Sequence, residues 1–426
     1  MKKAASQVFK VGALMEHPEV TEAFGADAEA ISWMRQGGYE VKLSEQLLAE
    51  LAAEGKQAVG IEKPNGKRAQ ENAADLRAVV MEVLRKGAYE VVEREGVDNV
   101  LPMNLAPKPG KEPPWRLISN AMSVNEFMRL WSVRYETFKT VPLVVRQGDR
   151  LFSVDLTDAY HQWLLLERNM RLFGHSLQLT QAQLKELQAM GRLPEGFTWD
   201  DKAHLARVYL RPVGLPMGFM NACAVFTKVS RVYVAKWRRE GKRCVHLLDD
   251  LRFAVSETFE EACRVRAEVL SDLEAVGALV NWRKSVLTPG KCLCFLGMLV
   301  DSVSYRFFVP EKKVVRLKAL VTELLARAKA GEYPEATFRE LASVVGKVMS
   351  MQVAVPAVRM LTHEVYRLIR PDGEWDNTVV LTKEVLDELL AVVKWIGQFN
   401  QKGNAIRRFK EMMELVITVD AGTGIG

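Results

Sequence analysis

Cysteine is scarce in this sequence and follows no pairing pattern. Its five cysteines (Cys223, Cys244, Cys263, Cys292 and Cys294) are odd in number and form no Cys-x-x-Cys unit. Neither a disulfide framework nor a zinc knuckle is therefore indicated, and a reducing, intracellular setting is expected, with cytoplasm and nucleus not distinguished. No run approaches the roughly 20 apolar residues that cross a bilayer, and the first ten residues lack the apolar centre of a signal peptide, so no membrane partner is expected. One-sided charge is lacking too. A formal net charge of +6 from 59 basic and 53 acidic residues permits nucleic-acid binding without arguing for it. No short repeat or long low-complexity tract interrupts the chain. What remains is a 426-residue sequence, 48% hydrophobic and 26% charged, composed like ordinary globular domains and long enough for roughly two to four of them.

The chemistry centres on Val245-His246-Leu247-Leu248-Asp249-Asp250-Leu251-Arg252-Phe253. Residues 244–248 and 251–255 are apolar and of strand length, which leaves Asp249 and Asp250 as the turn of a hairpin with acid at its tip. Adjacent carboxylates on a rigid hairpin repel, and the usual remedies are a raised pKa or a bound divalent cation. The pair Asp200-Asp201 serves as an internal control: no apolar strand flanks it, and it reads as a polar loop. A metal site needs a further ligand, and Asp155 supplies one. It ends the apolar run Leu151-Phe152-Ser153-Val154 and precedes Leu156-Thr157-Asp158-Ala159-Tyr160-His161. A carboxylate inside such a run must be paired, neutralised or metal-bound if buried. His161, alone beside an aromatic residue, reads as a packing or hydrogen-bonding residue.

Elsewhere, Leu76, Val79, Val80, Val83 and Leu84 repeat at helical spacing before Gly87, marking an amphipathic helix. Residues 102–125 read as a hairpin whose Pro- and Gly-bearing turn presents Lys108, Lys111 and Arg116 to an anion, a solvated surface hairpin being the competing reading. Thr180, Thr258 and Thr337 each stand three residues before Gln183, Glu261 and Glu340, the spacing of a capping box. Leu215-Pro216-Met217-Gly218 forms a turn that allows close backbone approach before a helix from about residue 221 to 239. Phe295-Leu296-Gly297-Met298 reads as a strand and tight turn, and Val314, Leu317, Val321 and Leu324 as the buried face of a helix opened by Pro310.

In their order, these stretches resemble the polymerase domain of reverse transcriptases. Residues 152–160, 215–226, 247–250, 277–285 and 295–297 look like its five successive motifs, with Trp115-Arg116 and Asn125 like the fingers strand ahead of them. Residues 137–152 and Ser343-Val344-Val345-Gly346-Lys347 look most like tyrosine-recombinase (DIRS-like) retrotransposons, with gypsy-type long-terminal-repeat elements as near neighbours. The resemblance implies an α+β, right-hand polymerase fold of fingers, palm and thumb with an antiparallel palm sheet. The expected division is an N-terminal extension at 1–70, fingers and palm at 71–304, a thumb at 305–370, a helical connection at 371–412 and the truncated start of an RNase H-like domain at 413–426. Val416 to Ala421 resembles the first strand of that domain, with Asp420 its only carboxylate here, so RNase H activity is not expected of this chain.

The implied activity is RNA-directed DNA polymerisation by two-metal nucleotidyl transfer. Asp155, Asp249 and Asp250 are the expected catalytic and metal-binding residues for two Mg²⁺ ions, Mn²⁺ being a substitute. Lys111, Arg116, Asp158, Ala159, Tyr160, Met217, Gly218 and Lys284 are the expected nucleotide-binding residues, and Phe295, Leu296 and Gly297 the primer grip. The partners would be an RNA or DNA template with its primer and deoxynucleoside triphosphates; the resemblance says nothing of oligomeric state. One position departs from the family: Leu247 stands where an aromatic residue is usual. The rival expectation is a catalytically weak or domesticated nucleic-acid-binding protein derived from a retroelement.

Overall fold

The computed structural model describes residues 9–407 apart from 109, 111, 201, 328–332 and 370–373. Helices and antiparallel sheets are mixed along the whole of it. At the centre lies a four-stranded sheet in the order Arg243–Leu247, Asp250–Ala254, Leu151–Asp155, Val286–Gly290, every neighbour antiparallel. Its strands are apolar at consecutive positions because both faces are covered. Phe152, Val154, Cys244, Leu251 and Phe253 point into one core, while Leu151, Val245 and Ala254 point into another. Phe152 and Phe253 are direct cross-strand partners with stacked rings 4.7 Å apart, a pairing that favours this register.

Helices Ala222–Arg239 and Phe259–Ala275 close the first core with Phe226, Tyr233, Trp237, Val269 and Leu273. The chain before residue 70 is built into the same core through Leu14, Met15, Ile31, Trp33, Tyr39 and Val41. The second core gathers a four-stranded sheet (Cys292–Phe295, Met298–Asp301, Arg306–Phe308, Asn404–Ala405) and helices Glu311–Leu325, Phe338–Met349 and Lys383–Lys402. All four positions expected to face inward from the helix after Pro310 are buried. A third core joins helix Ala73–Arg85, the sheet of Tyr89–Val92, Leu205–Pro212 and His175–Thr180, and the hairpin Met103–Pro107/Trp115–Ser119. Among the described residues, no helix is long and apolar enough to cross a membrane.

Local sequence signals were realised unevenly. The capping boxes at Thr180 and Thr337 are both formed. Thr258 precedes its helix but caps nothing: its hydroxyl lies 3.2 Å from Ser256 Oγ, a neighbour that competes for it. Helix Gln181–Ala189, whose purpose the sequence left open, is tied to helix Ala73–Arg85 by an Arg85–Glu186 ion pair at 2.6 Å.

One buried ion pair holds the edge of the central sheet. Asp149 is almost completely buried, accepts from Arg146 N at 2.6 Å and from Arg243 Nη2 at 2.8 Å, and is paired to Arg243 through both oxygens. Removing the acid strands a guanidinium in a poorly solvated place, so Asp149→Ala is expected to lower the unfolding free energy by about 3–5 kcal/mol in a urea titration. A loss below about 1 kcal/mol would mean that the pair is worth no more than a surface one.

Candidate active site

The acidic hairpin is shifted by one residue from its expected form. Leu247 pairs with Asp250, so the two-residue turn is Leu248-Asp249 and Asp250 is the first residue of the return strand. The reason lies in the neighbouring strand: Asp250 is also the ladder partner of Asp155, which no turn residue could be. Asp249 is thus at the tip, while Asp250 lies across from Asp155 within the sheet. Leu248 takes a left-handed φ of 55°, a conformation that a two-residue hairpin usually assigns to glycine. His246 backs this strained turn. Its Nε2 lies 2.8 Å from Leu248 O and 3.0 Å from Ser230 Oγ, and burial pushes its pKa down to about 4, keeping the ring neutral.

Burial also raises both sheet carboxylates. Asp155 is pushed up by desolvation and by the charge of Asp249, against the pull of Lys284. Asp250 is raised to about 6 by burial, with Arg252 opposing and Asp249 and Asp155 adding to the rise. Asp155 Oδ1 is buried without a hydrogen bond, the Lys284 ammonium standing 3.5 Å away. Asp250 is engaged with Arg252, whose Nη2 donates to its Oδ2 at 2.6 Å. The segment carrying Lys284 is anchored to the same strand, since Asn281 N donates to Asp155 O at 2.7 Å and Asp155 N donates to Ser285 Oγ at 3.0 Å.

An unsatisfied carboxylate oxygen amid mutually repelling acids suits a hard divalent cation. No three His, Cys, Asp or Glu side chains among the described residues converge on one point. A Mg²⁺ ion held by one or two carboxylates and completed by water and phosphate requires no such trio. Asp155 and Asp249 are the carboxylates that fit, with Asp250 beside them: its Oδ1 is also buried without a hydrogen bond, while its Oδ2 accepts from Arg252.

In front of Asp249 opens a cavity of about 330 Å³ lined by Arg116, Asp158, Ala159, Tyr160, Met217 and Lys284, with Lys86 and Leu248 among the other walls. Six of the eight expected nucleotide-binding residues are thus brought together. Gly218 lies just behind: with φ 117° its Cα packs on the neighbouring strand so closely that a Cβ would sit 1.8 Å from Ser119 O. Ser119 N donates to Met217 O at 2.8 Å, and Asn125 Nδ2 to Gly218 O at 2.9 Å, lacing the Arg116 strand to this turn. Tyr160 packs its ring edge-on against Phe226 and places its hydroxyl 2.8 Å from Cys223 Sγ; burial drives that hydroxyl well above the ordinary tyrosine pKa.

Lys111 and Asp420 lie outside the described residues. Of the expected primer grip, Phe295 is fully buried in the second core, whereas Leu296 (φ 49°) and Gly297 (φ 83°) form the turn it anchors. Arg252 joins this hairpin to the acids, donating from Nε to Cys294 O at 2.8 Å. Lys86, Cys223, His246 and Arg252 escaped sequence reasoning. Tyr160 and Cys223 are 63 residues apart in sequence, and Lys86 and Asp158 are 72 apart, so no local spacing marks either pair.

The fold that carries this hairpin and cavity is similar to that of solved reverse transcriptase structures. The chain superposes on the foamy viral protease-reverse transcriptase dRH in complex with ds DNA with a TM-score of 0.56 and 17% identity, over 95% of this chain and 63% of that one. Foamy viral protease-reverse transcriptase in complex with RNA/DNA hybrid gives 0.59 and 16%, over 92% and 46%. The same protein in complex with dsDNA gives 0.56 and 15%, over 92% and 71%. The chain therefore spans less than two thirds of the first two structures. At such identity the likeness is one of fold. No protein-family model and no curated protein sequence matches the chain.

Proposed function

We propose that the chain is an RNA-directed DNA polymerase copying retroelement RNA, with the central sheet as palm, the third core as fingers and the second core as thumb. The observation that carries this reading is the convergence of Asp155 and Asp249 beside a cavity walled by Arg116, Tyr160, Met217 and Lys284. The finer assignment to a DIRS-like or gypsy-like element rests on the sequence strings alone.

In this reading the 3′-hydroxyl of a primer attacks the α-phosphate of a deoxynucleoside triphosphate, and pyrophosphate leaves. Arg116 binds phosphate oxygens with its planar fork. Met217 and the Gly218 backbone form the floor, and Tyr160 lies against the sugar. Lys284, close to Asp155, holds a proton for the departing pyrophosphate. Two Mg²⁺ ions held chiefly by Asp155 and Asp249 would supply Lewis acidity, easing deprotonation of the hydroxyl and offsetting charge on the phosphates.

Primer extension on an RNA template with Mg²⁺ tests the proposal. Template-directed extension that stops on chelation is expected. A protein that binds primer-template yet incorporates nothing with either Mg²⁺ or Mn²⁺ would overturn it in favour of a binding protein.

A further inference from the structure

Besides Asp249, two acids intrude on a cavity that would take a triphosphate. Asp158 and Glu82 line it together with Arg116 and Lys284, and both acids are held by one cation. Lys86 Nζ lies 2.7 Å from Asp158 Oδ2 and 2.9 Å from Glu82 Oε1. Lys86 directly follows helix Ala73–Arg85, whose last residue is paired with Glu186. Asp158 takes a left-handed conformation (φ 42°, ψ 50°), and its carbonyl accepts from His161 N at 2.9 Å. Ala159 and Tyr160 follow immediately, so the backbone at Asp158 sets where both reach the cavity.

We propose that Lys86 is a positioning residue of the nucleotide pocket: it neutralises Asp158 and pins it in the left-handed conformation, so that an acid in the wall does not repel the triphosphate. This rests on the polymerase reading above. The ion pair joins two walls of the cavity that lie 72 residues apart in sequence. Burial by itself would raise Asp158 and lower Lys86, yet the hydrogen bond and charge between them reverse both shifts and keep both groups ionised. Each side chain of the pair keeps 32% of its surface exposed, so solvent screens part of the attraction and the pair is only a modest staple for the fold. Its weight falls on the charge that an incoming polyanion meets, because like charges a few ångströms apart in a partly desolvated cavity repel strongly.

The test compares the full chain with Lys86→Met, Lys86→Arg and the double variant Lys86→Met/Asp158→Asn in steady-state primer extension. Lys86→Met is expected to raise KM for the deoxynucleotide roughly tenfold while kcat stays within about threefold, the signature of lost ground-state and transition-state binding in equal measure. Lys86→Arg is expected to stay near the unmodified chain. The double variant should recover most of the KM, since removing the acid removes the need for its counter-ion. An unchanged KM in Lys86→Met, with or without a fall in Tm, would overturn the proposal and leave a purely structural pair; so would a double variant no better than the single one. If the unmodified chain does not extend primers, the polymerase reading fails by itself. The same variants are then ranked by calorimetric binding of magnesium tripolyphosphate, where the same order is expected and equal affinities overturn the role of Lys86.

Discussion

Asp249→Asn is expected to abolish primer extension, by about a thousandfold or more in kcat, which corresponds to roughly 4 kcal/mol of transition-state stabilisation. The substitution keeps the size and the hydrogen-bonding outline of the side chain and removes only its charge. Asp249 occupies the tip of the Leu248-Asp249 turn, and its backbone carbonyl, 3.3 Å from Leu156 N, keeps the turn docked on the Asp155 strand in either variant. Fold and hairpin should therefore survive, and affinity for primer-template should stay within a few-fold, because binding of nucleic acid derives mainly from phosphate contacts. Asp250→Asn should cost less, because one oxygen of that carboxylate is already held by Arg252 whereas Asp249 itself lines the cavity. Single-turnover extension measured beside filter binding checks both. Retention of a tenth or more of the extension rate by Asp249→Asn would remove the aspartate from the chemistry.

Tyr160→Ala should raise incorporation of ribonucleotides relative to deoxyribonucleotides by one to a few orders of magnitude, on the order of 1–4 kcal/mol of relaxed discrimination. The ring lines the cavity five residues after Asp155, held edge-on by Phe226 and by its hydroxyl at Cys223 Sγ. An aromatic plane fixed from two sides cannot give way to a 2′-hydroxyl, so exclusion by this ring would be steric. Tyr160→Phe, which keeps the ring and loses only the contact with Cys223, should therefore retain most of the discrimination. Competition between the two nucleotide types on one template provides the ratio directly. An unchanged ratio accompanied by lost stability would make Tyr160 an ordinary core residue.

The legible part of this molecule was the part written in local periodicity. Apolar runs next to acid marked the strand ending at Asp155 and the two arms of the acidic hairpin, helical spacing at Val314, Leu317, Val321 and Leu324 marked a buried face, and the boxes at Thr180 and Thr337 marked two helix starts. Each of these is decided by neighbours within a few residues. The failures were of the same range but subject to competition: Thr258 lost its cap to Ser256, and the acidic turn moved by one residue because pairing with Asp155 took precedence over the bare Asp-Asp signal.

The sequence by itself determined the order in which Asp155, Asp249, Arg116, Tyr160, Met217 and Lys284 stand along the chain and, through the resemblance that order carries, the expectation that they share one site. Only the tertiary structure decided which acid lines the cavity and which pairs with Arg252, that Phe295 is an anchor in a core, that residues before 70 belong to the first core, and that Lys86 answers Asp158. The physical reason is that burial and charge pairing are properties of the packed state. Desolvation raises a carboxylate only when other elements close over it, and an ion pair spanning 72 residues exists only once the sheet and helix that carry its ends have docked.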